Sequence, residues 1–385
     1  MSIKLVYFHY EEINMNVPLF EIYNDENDVK FISEQIASGK FWAVGSKINE
    51  FEQEIAKFIG TKYAITLNSG TSALHAAMIA HGFGKNDEII VPSFTFIATA
   101  NAPLFVGAKP VFADIEEETC GLNPESVEDK ITKNTKAIIP VHYGGCPCKI
   151  KELKDIAEDN DLILIEDAAE SFGASINGKN TATFGDSNIL SFCQNKVIST
   201  GEGGAVVTDS EEIYEKLKLI RSQGRLESGD YFSTVGLFDY IELGFNWRMS
   251  NLTATLGLSQ IGKADKIIKM RQDNVAYLSK RILEETDEIT IPDVPKGYNH
   301  VYQLFSVFAN KRDDLIDYLA ENGVSSKIYF DPIHKSMFYK DKLKYNDVLP
   351  VTEKIYEKTI TLPMFPSISE EQMDYIADLI GKFYK

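Results

Sequence analysis

Positive charge is what this chain has too little of. Its 39 lysines and arginines face 57 aspartates and glutamates in 385 residues, a net charge of −18. Nucleic acid, whose phosphates need a basic face, is therefore not an expected partner, and neither is an anionic membrane surface. An anionic ligand has to be held by local helix N-termini and a few basic side chains, because the overall field repels it. Long apolar runs are missing as well. No stretch approaches the length of a membrane span, and the opening residues 1–12 turn acidic before any apolar core builds, unlike a signal peptide. Cysteine is scarce. Cys120, Cys146, Cys148 and Cys193 are too few for a disulfide framework in a chain this long. Cys146-Pro-Cys148 with His142 nearby lacks the second half of any zinc pattern, so no metal is expected. Together these absences describe a cytoplasmic, reduced protein.

What is present is enough apolar material, 44% of residues, to bury one large domain with a smaller one attached. After an irregular arm to about residue 25, helices are expected over Asp25–Ser38 and from a Ser46 cap onward. Short apolar runs then alternate with amphipathic helices. The strands are Tyr63–Leu67, Glu88–Pro92, Pro110–Ala113, Ala137–Val141, Leu162–Ile165, Asn188–Phe192 and Ala205–Thr208. This is the pattern of an α/β, three-layer domain with a mostly parallel sheet covered on both faces. Past about residue 250 the texture changes to a small α+β domain. Strands are expected over Tyr302–Phe308 and Val324–Phe330, a helix over Asp313–Asn322, and a last helix opened by a Ser369/Gln372 capping box. The expected division is 1–255, including the arm, and 256–385.

In such sheets the ligand lies beyond the carboxyl ends of the strands. The first residues after each strand should therefore carry the chemistry. After the first come Ser69-Gly70-Thr71-Ser72, opening a helix whose N–H groups suit a phosphate, although an ordinary N-cap looks the same. After the second come Pro92-Ser-Phe-Thr-Phe96, aromatics for a planar ring or simply for the core. After the fifth comes Asp167, a carboxylate behind an apolar run that needs a cationic or N–H partner. Next, Asn188–Gly204 supplies Ser191 and Lys196 beside a glycine-rich turn. A lysine just past a buried strand end loses ammonium stability through burial and can act as a nucleophilic amine. A phosphate seat, an aromatic plate, an acid and a lysine on one sheet edge match the needs of pyridoxal phosphate.

The chain resembles the sugar-nucleotide aminotransferases of the DegT/StrS type, which share the fold type I of aspartate aminotransferase. The resemblance runs in family order from about residue 15 to 385. It is carried by Phe51-Glu52, Asn68-Ser-Gly-Thr-Ser-Ala-Leu74, Pro92-Ser-Phe-Thr-Phe-Ile-Ala-Thr-Ala-Asn101, Gly107–Asp114, Pro140-Val-His142, Glu166-Asp-Ala-Ala-Glu170, Ser191-Phe-Cys-Gln-Asn-Lys196, Gly201-Glu-Gly-Gly204 and Gly244-Phe-Asn-Trp-Arg-Met249. The resemblance implies that Lys196 is the cofactor-bearing catalytic lysine. It implies that Asp167 pairs with the pyridine nitrogen, that Phe96 stacks on the ring, and that Gly70, Thr71, Ser72 and Ser191 hold the phosphate. Asn246 would reach the cofactor of a neighbouring subunit, making the site a homodimer property. Position 170, often glutamine in the family where it meets the cofactor's 3-hydroxyl, is here Glu170. The implied activity is transfer of an amino group, with L-glutamate becoming 2-oxoglutarate, to a nucleotide-linked ketosugar, a 4-keto-6-deoxyhexose ahead of a 3-keto sugar. Trp42, His142, Arg221, Arg248, Tyr329 and His334 are the candidates for the sugar-nucleotide pocket. The family's dehydratase branch carries histidine in place of the lysine, and a silent binding protein on the same fold would have no need of Lys196 and Asp167.

Overall fold

In the computed structural model, residues 15–226 and 239–385 are described. Residues 1–14 of the expected irregular arm lie outside them. Helices α1 (Glu26–Ala37) and α2 (Ser46–Ile59) precede β1 (Tyr63–Leu67). Helix and strand then alternate through α3 (Gly70–Ala80), β2 (Glu88–Pro92), α4 (Ala98–Phe105), β3 (Lys109–Ala113), α5 (Pro124–Lys130), β4 (Thr135–Ile138), α6 (Ile150–Asp159) and β5 (Ile163–Asp167). A small hairpin, β6 (Ser175–Ile176) and β7 (Lys179–Asn180), leads to β8 (Ser187–Ser191), β9 (Gly204–Thr208) and α7 (Glu211–Arg221).

Seven strands form the main sheet in the order β1-β9-β8-β5-β4-β2-β3. β8, β5, β4, β2 and β3 pair in parallel, and β9 runs antiparallel to both of its neighbours, β1 and β8. Alternation along a strand sends neighbours to opposite faces. Ile89 and Val91 accordingly join one core with α3, α4 and α7, while Ile90 joins the other with Val127 of α5 and Leu153 of α6. Both faces are covered, which is why these strands read as unbroken apolar runs.

The rest of the chain comprises α8 (Asn251–Ile261), α9 (Ala264–Glu285), β10 (Ile289–Thr290), β11 (Tyr298–Asn299), β12 (Phe305–Ala309), α10 (Arg312–Glu321), α11 (Pro350–Lys358), β13 (Thr359–Leu362) and α12 (Glu370–Tyr384). A second, antiparallel sheet runs β10-β12-β13. The first turns of α9 (Ala264, Ile267, Ile268) pack with Phe51 and Phe172, whereas Val275, Leu278 and Ile282 further along pack with Phe305 and Ile376.

Two expectations are corrected. Val324–Phe330 forms no strand and makes only isolated bridges, Val17 with Val324 and Lys327 with Thr361. It carries Ser325-Ser-Lys327 where a strand would need an apolar face, and the fully buried Thr359–Leu362 takes the place in the sheet. Ser46 does not cap α2 either. Asn251 does so from α8, its Oδ1 accepting the Lys47 N–H at 3.0 Å. Gly45 leaves the room, since a Cβ there would sit 2.6 Å from that same oxygen. No helix among the described residues is long and apolar enough to cross a membrane.

Candidate active site

The reversal of β9 brings the start of that strand to the same sheet edge as the ends of β1, β2, β5 and β8. On this rim α3 begins immediately after β1. Ser69 Oγ accepts the Ser72 N–H at 3.1 Å, and the Ser69 N–H returns a bond to Ser72 Oγ at 3.1 Å, a reciprocal capping box. The Ser72 hydroxyl also donates to Asn68 Oδ1 at 2.7 Å, so it is engaged in shaping the helix start. The N–H groups of Gly70 and Thr71 belong to the first turn, which has no acceptor within the helix. Thr71 is exposed. Ser191 closes in from the end of β8, its Oγ 3.3 Å from where a Gly70 Cβ would lie. Gly204 pairs with Leu67 across β1 and β9, and a Cβ there would lie 2.5 Å from the Ser69 carbonyl. Glycine at these two positions is what lets strand and helix start come together. Gly70, Thr71 and Ser191 are thereby brought together at the start of α3, an arrangement that suits an anion.

Asp167 ends β5 and is almost wholly buried. Thr99 Oγ1 donates to its Oδ2 at 2.8 Å and the Ala169 N–H to its Oδ1 at 3.2 Å. Burial holds the Asp167 carboxyl above its ordinary range. The Thr99 and Ala169 bonds and the Lys196 charge pull it back, and the Glu170 charge pushes it further up. A buried acid so placed is what a protonated ring nitrogen would satisfy. Glu170 is 6% exposed; its Oε2 accepts the Gly144 N–H at 2.9 Å and its Oε1 lies 3.3 Å from Lys196 Nζ. Phe96, by contrast, is 57% exposed, with its ring centroid 6.1 Å from that of Phe330. Tyr329 reaches over the lysine loop and bonds with Asn195, and burial together with the Glu170 charge pushes its hydroxyl up. Gln303 Nε2 donates to the Asn195 carbonyl from the other side. The residues present fit pyridoxal phosphate. Gly70, Thr71 and Ser191 would suit its phosphate, Asp167 its ring nitrogen, Phe96 its ring and Lys196 its aldehyde.

Three substrate candidates belong to the core instead. His142 is fully buried, its Nε2 2.9 Å from Glu166 Oε2 and its Nδ1 accepting the Cys148 N–H at 3.1 Å. His334 is buried with its Nδ1 2.7 Å from Ser93 Oγ and its Nε2 3.4 Å from Glu353 Oε1, and burial pushes its imidazole down. Arg221 is buried against Glu52 and the Thr66 carbonyl. Each answers the charge or polarity of a neighbour in the fold. Arg248 is half-buried, its backbone bridged to Leu67 at the end of β1, with Nη1 3.4 Å from Ser222 Oγ. Asn246 and Trp42 are exposed. Thr99 and the Gly144 N–H escaped the reading of the sequence. The only signal for Thr99 was a hydroxyl one helical turn beyond Phe96.

Residues 23–381 match the DegT/DnrJ/EryC1/StrS aminotransferase family. Among curated proteins, the chain is 35% identical to GDP-perosamine synthase of Vibrio cholerae, covering 96% of this chain and 99% of that one. It is 33% identical to the UDP-N-acetyl-3-dehydro-alpha-D-glucosamine 3-aminotransferase of Acidithiobacillus ferrooxidans, over 88% and 89%. It is 31% identical to the UDP-4-amino-4,6-dideoxy-N-acetyl-beta-L-altrosamine transaminase of Campylobacter jejuni, over 92% and 94%. Among solved structures, Helicobacter pylori PseC, an aminotransferase involved in the biosynthesis of pseudoaminic acid, superposes with a TM-score of 0.89 at 27% identity, over 96% and 99%. Fold and rim define a pyridoxal-phosphate aminotransferase. The chain belongs to the DegT/DnrJ/EryC1/StrS aminotransferase family.

Proposed function

We propose that this aminotransferase takes its amino group from L-glutamate, releasing 2-oxoglutarate, and delivers it to a nucleotide-linked 4-keto-6-deoxyhexose. The product would be an amino sugar for surface glycans or glycoproteins, made in the cytoplasm by a homodimer. The observation that carries amino transfer is Lys196 Nζ, held 3.3 Å from Glu170 Oε1 on the same rim as Asp167 and the α3 start. Bound pyridoxal phosphate supplies the aldehyde that carries the amino group and a ring that stores the electron pair. The chain does the rest. Gly70, Thr71 and Ser191 would hold the phosphate, Asp167 would keep the ring nitrogen protonated, and Lys196 Nζ would carry the proton that amino transfer has to move. Asn246, exposed among the described residues, supports a shared site, and the half-buried Arg248 beside the β1 end suits a carboxylate or diphosphate. The 4-amino-4,6-dideoxy sugar for which the Campylobacter transaminase is named supports the C4 ketone, and the 3-aminotransferase among the relatives keeps C3 as the rival.

The test is an absorbance scan of the purified protein before and after L-glutamate, followed by a panel of 4-keto and 3-keto nucleotide sugars. A blue-edge band that moves to shorter wavelength with glutamate, and that only a 4-keto acceptor restores, is the expected result. Recovery with 3-keto sugars alone would move the acceptor to C3, and a band indifferent to glutamate would remove that donor.

A further inference from the structure

Two carboxylates enter the site, and they point at different things. Asp167 is held by Thr99 and the Ala169 N–H and serves the place of the ring. Glu170 turns Oε1 to within 3.3 Å of Lys196 Nζ. Its other oxygen is tied down, because Oε2 accepts the Gly144 N–H at 2.9 Å. The Gly144 segment is fixed in turn. Its carbonyl accepts the Leu304 N–H at 3.0 Å, and the preceding Tyr143 donates its hydroxyl to the Tyr329 carbonyl. At Gly144 φ is +61°, in the left-handed region that glycine adopts without strain. Oε2 of Glu170 is thus anchored, and Oε1 is the oxygen that faces the amine.

We propose that Glu170 is a positioning residue for Lys196, aiming the amine at the cofactor and holding a negative charge beside it whenever that nitrogen carries a proton. This rests on the reading of Lys196 as the cofactor-bearing lysine. The titratable groups around Glu170 are Lys196, Asp167, Tyr143 and Tyr329. Burial first, and the Glu170 charge as a lesser cause, push both tyrosine hydroxyls up, so they stay neutral at working pH. Asp167 is then the one other negative neighbour, and it is occupied with the ring. A glutamine at 170 would keep the Gly144 bond through its amide oxygen but bring no charge to the lysine. Charge and shape can thus be separated by one substitution.

The experiment is a pH titration of the visible band in holoenzyme prepared as wild type, Glu170→Gln and Glu170→Asp. It is paired with the rate at which each apoprotein recaptures pyridoxal phosphate at neutral pH. Removing a carboxylate adjacent to the protonated nitrogen should lower the spectral midpoint of Glu170→Gln by about one pH unit or more. Glu170→Asp should fall between the two, and recapture by Glu170→Gln should change its rate. Unchanged midpoints and recapture rates in the folded variants would overturn the proposal and reduce Glu170 to a tether for Gly144. If Glu170→Gln does not fold, an unmoved midpoint in Glu170→Asp has the same force. Absence of any band in the wild type would instead overturn the reading of Lys196 itself.

Discussion

Glu166 and Asp167 are consecutive residues of β5, both carboxylates, both buried, and they do opposite jobs. Glu166 lies in the layer beneath the rim. It accepts N–H bonds from Ala182 at 2.9 Å, Phe184 at 2.6 Å and Gly185 at 2.9 Å, with His142 Nε2 2.9 Å away. Its capacity is used up and its role is to knit the chain between β5 and β8 to the strand. Asp167, one residue on and facing the other way, has two donors, Thr99 and Ala169. A carboxylate accepts about four such bonds, so Asp167 is left under-satisfied on the side where a cationic ring would come. Saturation of hydrogen bonding, more than burial, separates these two acids.

Several substitutions would break or sharpen that contrast. The largest effect is expected for Lys196→Ala, which removes the amine that faces Glu170: turnover in both half-reactions should drop by at least about a thousandfold. Single-turnover assays with glutamate alone and with the ketosugar alone would check this. Retained turnover would sink the lysine's role. Glu166→Ala should next act on the fold, stranding three N–H groups and costing about 3–5 kcal/mol. A urea titration of the apoprotein would show it as a lower midpoint, and an unchanged midpoint would contradict the scaffold assignment. Asp167→Asn should do the reverse. Burial raises the Asp167 carboxyl above the ordinary value of 3.8. As pH climbs from 3.8 toward that raised value, the unfolded chain gives up its proton before the folded one does, and folding stability is lost. The asparagine variant of the apoprotein should lack this loss and melt higher than wild type at neutral pH, though its activity is poorer. Equal pH profiles of thermal unfolding from pH 4 to 7 would refute it.

The rim was legible in the sequence because period and position do not depend on distant partners. Apolar runs of five residues fixed the strands, and the first polar residues after them, Ser69 to Ser72, Asp167 and Lys196, followed. What stayed hidden was pairing at long range. His334 looks like a ligand in a loop until Ser93 is found 2.7 Å from its ring, 241 residues away in sequence. Arg221 reads as a diphosphate clamp until Glu52 is seen against it. His142 likewise is explained by Glu166. The misread strand at Val324–Phe330 has the same cause, since which of two candidate segments pairs with β12 is decided by burial across the small sheet. Thr359–Leu362 is buried throughout and wins.

One helix ties these parts together. α9 runs unbroken from Ala264 to Glu285, with neither proline nor glycine to kink it, and its two ends sit in two different cores. At 1.5 Å per residue it is a rod of about 33 Å. Its first turns share a core with Phe192, the residue after β8 that leads into the lysine loop, while its last turns carry β12 and α12. The segment that places Gln303 and Tyr329 around Asn195 is therefore mounted on the far arm of a beam rooted under the active site. A rod of this kind passes any displacement of one core directly to the other.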